Sequence, residues 1–400
     1  MKEMTMKRFL AVLLAICMMA GALAGCGPTA PDQQNVDKLD GNTGDSGDSS
    51  GDEENTITYN IEGAFKAVDP DTVVMTVNGK DIVWEDFFYY VKYYVDYMAS
   101  SGYEITDWSQ PISSSSEYTY QNYVLSNAAN WFIYAAVIEE FAKENNVSVT
   151  AEQEQTMSDE WETNVGIYGS EEAYLEILAA KYCTKYMNEY IQRTGYLADN
   201  CFKELYGENG SKLTDAELDD YFANEGYYMA KHILKLTTET DSDGNSVELS
   251  EDEKATKYKE MEDILAKLDA YTGDDFETYF DRLVESEGED PGMQTYKDGY
   301  VFKEGDMVQE FTDAVKDLEP GAYSRIVESD YGYHIIYRLP LNYDVMPIAY
   351  SYMGYTDYTL RVIAAEAMYN SVLSQRKQEI QVSYAPAYES FDFTSMFSFG

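Results

Sequence analysis

The sequence predicts an α+β chain in which a mainly helical region is interrupted by a small domain, an antiparallel sheet with surrounding helices. Apolar and aromatic residues recur at helical spacing from Trp84 to about Asn224. At Tyr228 the pattern changes to short strand-like runs alternating with helices, up to about residue 340. Helical spacing then returns over 355–380, through Leu360, Ile363, Ala364, Ala367, Met368 and Val372. That last helix is expected to pack back on the first region, which makes the small domain an insertion.

Taken in order, residues 1–25 read as a secretory signal. Lys7 and Arg8 precede an apolar run, Phe9–Ala24, too short for a comfortable membrane span. Residues 26–68 are rich in Gly, Asp, Ser and Asn and read as a disordered tether with a span of roughly 35–40 Å. Val73–Val77, Asn78-Gly79 and Lys80–Val83 read as a hairpin, because Asn-Gly supplies the two left-handed residues of a tight turn. The helical region, 69–226, is expected to hold helices over 84–100, 117–145, 151–165, 171–193 and 195–206, with capping boxes at Thr150/Gln153 and Thr214/Glu217. In the small domain, 227–341, a strand runs from Tyr228 to Leu236 and a helix from about Ser250 to Asp269. Shorter helices are expected near 275–284 and 306–318, and a closing hairpin pairs Tyr323–Val327 with Tyr333–Arg338. Residues 342–400 supply the returning helix and an aromatic tail that the pattern does not place.

Composition narrows the function. The chain holds 73 acidic and 28 basic residues, a formal charge of −45, which excludes nucleic acid as a partner because phosphate binding needs clustered Lys and Arg. Two histidines and four cysteines leave little for a metal centre, so neither metal nor cofactor is expected. Cys17 lies within the signal, and the spacing of Cys183 and Cys201 does not establish whether they pair. The helix over 84–100 is aromatic nearly all round. Phe87, Tyr90, Val91, Tyr94 and Met98 form a core stripe, while Tyr89, Tyr93 and Tyr97 on another face suit either burial or a groove for unfolded chains.

Both histidines sit in matching settings at the ends of the small domain, His232-Ile233-Leu234 and His334-Ile335-Ile336. Strand alternation puts His232 on one face with Tyr228, Ala230 and Leu234, and turns Lys231 and Lys235 the other way. His334 shares its face with Gly332 and Ile336, and the glycine leaves room for close approach. On neighbouring strands the two rings come within hydrogen-bond reach. A lone inward histidine is ordinarily a satisfied core residue.

Leu23-Ala24-Gly25-Cys26 resembles the lipobox of bacterial lipoproteins, in which the signal is cut before the cysteine and the cysteine is lipidated. His232-Ile-Leu, Asp274-Asp275-Phe276, Asp290-Pro291-Gly292, Gly305-Asp-Met307-Val308-Gln-Glu-Phe311, Leu318-Glu-Pro-Gly321 and Tyr331-Gly-Tyr-His334-Ile-Ile336 together resemble parvulin-type peptidyl-prolyl isomerases over about 228–340. The hairpin, the helices after it and the C-terminal helix resemble the chaperone part of PrsA-type foldase lipoproteins and SurA-like chaperones.

That resemblance implies His232, His334 and Asp290 as catalytic residues and Met307, Phe311 and Phe302 as the proline pocket. Tyr331, two residues after Ser329, lines its rim. The segment Thr295–Phe302 departs from the family's Gly-Gly-Asp-Leu-Gly, and Gly299 falls where an apolar wall belongs, leaving Tyr300 to fill it. Glu239, Asp241 and Asp243 make the first loop acidic, which disfavours phosphorylated substrates. The expectation is therefore an extracytoplasmic isomerase and foldase, anchored to the outer membrane face through Cys26 and acting on unfolded secreted polypeptides. A homodimer is left open. The alternatives are a non-catalytic holdase with a degenerate parvulin domain and, from another class, a solute-binding lipoprotein.

Overall fold

The computed structural model describes residues 59–240 and 244–398. The signal, Cys26 and the tether up to residue 58 lie outside the described residues. The chain forms two compact units, one holding residues up to Leu205 together with those from Met368 onward, the other Tyr206–Ala367. The second unit is wider than the 227–341 read from the sequence, because helix Asp215–Phe222 and residues 342–367 belong to it.

The first unit begins earlier than expected. Residues 59–68, read from sequence as tether, are folded: Asn60 caps helix α1, Ile61–Lys66, and the Phe65 carbonyl accepts the Trp84 indole N–H at 2.9 Å. Strands β1, Val73–Val77, and β2, Lys80–Val83, form the expected hairpin, with φ of 47° at Asn78 and 79° at Gly79. Helix α2, Trp84–Ser100, buries Trp84, Phe87, Phe88, Tyr90, Val91, Tyr94, Val95 and Met98. Tyr89 and Tyr97 pack partly buried against this core, and Tyr93 alone of the three is exposed. Helices α3, Tyr120–Glu144, and α4, Ala151–Tyr168, follow, the latter opening on the Thr150/Gln153 capping box.

The next two helices break at a different place from the one read in the sequence. Helix α5, Glu171–Ala180, stops before the left-handed Tyr182 (φ 56°), and α6 runs unbroken from Lys185 to Tyr206 through Gly195. The reason is local: the Thr184 hydroxyl accepts the Met187 N–H at 2.9 Å and starts a new helix there. Cys183 and Cys201 are free and buried.

In the second unit, α7, Asp215–Phe222, carries the Thr214/Glu217 capping box and leads into β3, Tyr228–Leu236. A small hairpin follows, β4 Thr238–Thr240 and β5 Ser246–Glu248, then α8, Glu251–Asp269, α9, Phe276–Glu287, and α10, Gly292–Thr295. Strand β6 is Tyr300–Phe302, α11 is Gln309–Lys316, β7 is Val327–Ser329 and β8 is Gly332–Leu339; α12, Ile348–Tyr352, follows the sheet. The sheet order is β6-β3-β8-β7, antiparallel at every pairing.

The strand expected at Tyr323–Val327 forms only from Val327. Tyr323 makes a single bridge to Tyr337, and Ser324 follows β8 through two bonds with Ile336, its N–H donating to the Ile336 carbonyl and its hydroxyl, rather than its carbonyl, accepting the Ile336 N–H. A side-chain acceptor replaces the ladder there, so no strand forms.

Helices α8 and α9 pack on one face of the sheet, where Lys231 and Lys235 point. Lys231 is buried and meets Glu277 at 3.0 Å and Asp281 at 2.8 Å; Lys235 reaches Glu260 at 3.1 Å. The opposite face carries Ala230 and Ile336 under Tyr300, Phe302, Phe311, Val315, Met293 and Ile348.

Helix α13, Leu360–Lys377, takes the chain back into the first unit, where Tyr369 donates to the Ala198 carbonyl at 3.0 Å and Arg376 pairs with Glu144 at 2.6 Å. Strand β9, Val382–Tyr384, pairs with β1 as the third strand of its sheet. The tail that the sequence pattern left unplaced is core: Phe391 packs 4.7 Å from Trp84 and Phe393 5.8 Å from Trp108, while Phe397 stacks 6.3 Å from Phe88.

Candidate active site

The site grows from the register of β3 and β8. His232 stands opposite Ile336 and His334 opposite Leu234, which places the two histidines diagonally on the same face of adjacent strands. Their rings lie nearly parallel, 14° apart, with Nδ1 facing Nδ1 at 2.9 Å. Close packing of the strands at this point depends on Gly332, whose φ is 144°. A β-carbon there would lie 2.1 Å from the Lys235 carbonyl oxygen.

The pair continues outward at both ends. On one side His232 Nε2 meets Asp290 Oδ2 at 2.7 Å; on the other, Ser329 Oγ meets His334 Nε2 at 2.7 Å. Asp290 also accepts the Tyr300 hydroxyl at 2.7 Å and the Gly292 N–H at 2.9 Å. Its neighbour Glu289 clamps the loop to β3. The Glu289 N–H donates to the Leu234 carbonyl at 2.9 Å, and its carboxylate accepts the Leu236 N–H at 2.8 Å and Lys257 Nζ at 2.5 Å.

The contacts form one connected donor–acceptor line. A carboxylate only accepts, so His232 donates to Asp290 from Nε2; in the tautomer that leaves its Nδ1 as an acceptor, the line continues through the facing ring. His334 then donates from Nδ1, and its Nε2 accepts the Ser329 hydroxyl, which itself accepts the Tyr331 N–H at 3.2 Å.

The electrostatics agree. Burial, reinforced by His232 and opposed by Asp290, pushes the His334 pKa down to about 3, so this ring is neutral. Burial tends to raise Asp290, but the bonds from His232, Tyr300 and Gly292 outweigh it and hold the carboxyl at about 2. Burial, with the adjacent Asp290 carboxylate, drives the Tyr300 phenol well above its usual range.

The apolar residues gather against this line. Phe311 packs edge-on to both histidines, at 5.3 and 5.9 Å, and Phe302 lies 5.7 Å from Phe311. Met307 is partly buried on the same cluster. Tyr331 is exposed, two residues beyond the hydroxyl that meets His334. His232, His334, Asp290, Phe302, Met307 and Phe311 thus occupy one neighbourhood, and Tyr331 stands at its edge. Gly299, with φ of 110°, passes close to the Ala230 carbonyl and fills no wall, while the Tyr300 ring does. Sequence reasoning did not give Ser329 and Tyr300 their roles as network members; the signal for both was a polar group on the histidine-bearing face of a neighbouring strand. Among the described residues no cluster of His, Cys, Asp and Glu is arranged to hold a metal ion.

A family model described as Rotamase, PPIC-type PPIASE domain, matches residues 232–339. The foldase protein PrsA of Geobacillus sp. (strain WCH70) is 37% identical over 127 residues, 31% of this chain and 37% of that protein. The PrsA of Halalkalibacterium halodurans is 27% identical over 213 residues, 50% of this chain and 56% of its own. The chain therefore spans between about a third and just over half of the length of the curated relatives it matches. The crystal structure of PrsA from Bacillus subtilis aligns with 78% of this chain and 92% of its own at 16% identity, with a TM-score of 0.24. The stretch from His232 to Leu339, which holds the paired histidines and most of their apolar cover, is therefore the part of the chain that matches the PPIC-type, or parvulin-type, peptidyl-prolyl isomerase domain.

Proposed function

We propose that the chain catalyses cis/trans exchange of X-Pro bonds and serves as a foldase for secreted polypeptides outside the cytoplasm, held to the membrane by lipid on Cys26. The observation that carries the catalytic part is the continuous line Ser329–His334–His232–Asp290–Tyr300 set against the apolar cluster of Phe302, Met307 and Phe311. The reaction needs little else. Uncatalysed X-Pro rotation takes tens to hundreds of seconds against a barrier of roughly 18–20 kcal/mol, and no nucleophile is required. A dry apolar wall holds the proline ring and strips water from an amide that is less polar when twisted than when planar. The fixed charge of Asp290 opposes the polar resonance form that stiffens the bond, and the hydrogen bonds from His232, Tyr300 and Gly292 keep that charge in place.

His232, Asp290 and His334 are assigned to the catalytic line, and Phe302, Met307 and Phe311 to the proline pocket with Tyr331 on its rim. The anchor rests on the Leu23–Cys26 motif. No helix among the described residues is long and apolar enough to cross a membrane. A holdase without catalysis is the second reading, favoured by one observation: the buried Tyr300 ring occupies part of the histidine-bearing face.

NMR exchange of a proline tetrapeptide with the full chain decides between them. Acceleration is expected, with Asp290→Asn at least tenfold slower and folded, because the amide still accepts the His232 N–H while losing the charge. Unaccelerated exchange by the folded full chain would favour the holdase.

A further inference from the structure

Strand β6 is an edge strand, and the residues that cover it lie beyond Leu339, outside the matched domain. After β8 the chain loops through residues 340–347 and returns as α12 against β6. Ile348, 2% exposed, enters the same apolar cluster as Tyr300, Phe302 and Phe311. The Tyr296 hydroxyl donates to Ser351 Oγ at 3.0 Å, and its ring lies 5.2 Å from Tyr300, whose own hydroxyl holds Asp290. The other side of α12 is braced by its own segment, with Tyr350 5.6 Å from Tyr355 and 4.8 Å from Tyr358.

This bracing holds two large side chains outward. Tyr352 is 79% exposed and Met353 69%. Tyr352 is near enough to Tyr300 to act on its phenol electrostatically. At the opposite end of the hydrogen-bonded line stands another exposed ring, Tyr331 at 58%. A chain lying along the line would therefore meet an aromatic group at each end. At the Asp290 end it meets a phenol ring beside a thioether, two groups that both favour contact with a further aromatic ring.

We propose that Tyr352 and Met353 form a specificity ledge, held to Asp290 through Tyr296 and Tyr300, that binds an aromatic side chain adjoining the proline of the bound polypeptide. The ledge extends the isomerase reading of the site and depends on it. Contact with a flanking residue is made in ground and transition states alike, so the ledge acts on KM rather than on kcat.

The test compares the full chain with a Tyr352→Ser/Met353→Ser variant on tetrapeptides carrying Phe or Ala on either side of proline, each rate divided by the peptide's uncatalysed rate. Both side chains are exposed, so the variant is expected to fold; circular dichroism checks it. For the wild type the Phe peptides should lead the Ala peptides in kcat/KM by about tenfold, the scale of one or two good ring contacts. In the variant that ratio should fall towards one, with the loss in KM. Tyr296→Phe, which frees Ser351, should lower the ratio part of the way. A wild-type ratio near one, or a ratio unchanged in the serine variant, overturns the ledge while leaving the isomerase reading intact. Absence of acceleration with every peptide overturns both.

Discussion

His334 and Asp290 tie the site to pH in ways that a melt can read. The His334 pKa is about 3 in the folded chain against an ordinary 6.5, so between these values the unfolded state holds a proton that the folded state does not. Stability from this residue is fully present above pH 6.5 and is lost as pH falls towards 3, at up to about 1.4 kcal/mol per pH unit. Asp290, near 2 when folded and 3.8 otherwise, adds a second loss between those values as pH falls. Urea melts of the full chain, followed by hydrogen exchange in β3 and β8, should show the first slope, and His334→Gln should remove it. A wild-type slope that persists unchanged in the variant would mean that other groups carry it. At this scale much was legible in the sequence: two histidines in matched strand settings and a glycine beside one of them sufficed to bring His232 and His334 together, and the parvulin resemblance added Asp290. Tyr300 was legible as a polar ring on the histidine-bearing face but not as a donor to Asp290, because that bond depends on how the loop ten residues earlier folds back to its hydroxyl.

At the scale of elements, the back of the sheet is held by buried lysines and partly exposed carboxylates. Burial alone would lower the Lys231 pKa, yet the bonds from Asp281 and Glu277 raise it, so the ammonium is charged under its helix. Removing both partners strands that charge. Glu277→Ala/Asp281→Ala is expected to cost about 3 kcal/mol, while Lys231→Met, which deletes the charge and keeps the volume, should cost about 1 kcal/mol or less. Denaturant midpoints check the order; a larger loss for Lys231→Met than for the double variant would contradict it. The same lysines show what strand alternation could and could not reveal. It assigned them to the face opposite His232 without showing that helices cover that face. The elements that sequence pattern located well are those whose ends carry their own chemistry: Asn78-Gly79 for the hairpin, Thr150/Gln153 and Thr214/Glu217 for two helices. The misplaced break near Thr194-Gly195 is the converse case. Gly195 is a weak helix residue, but it is buried at a packed position, and Thr184 ten residues earlier is the hydroxyl that caps.

Over the whole molecule, the first unit is discontinuous, and its core is completed only by residues from Met368 onward. Gln121 locks the tail with two bonds, donating to the Phe391 carbonyl at 2.9 Å and accepting the Phe393 N–H at 2.8 Å. Loss of three buried phenylalanines at about 3–5 kcal/mol each rivals the 5–15 kcal/mol that stabilises a typical domain. A chain ending at residue 380 should therefore lose amide protection across β1, α2 and α3 while β3 and β8 keep theirs, as read by hydrogen-exchange mass spectrometry. Equal protection of α2 in both chains would show the tail to be dispensable. The aromatic tail was unreadable from periodicity because its rings enter the core one at a time from short turns, with no period to detect. Its position in the chain also sets an order of events. A chain emerging amino end first has Tyr206–Ala367 complete while the aromatic partners of Trp84, Phe88 and Trp108 have yet to emerge. The second unit can then form first, and residues 391–397 act as the latch that closes the first.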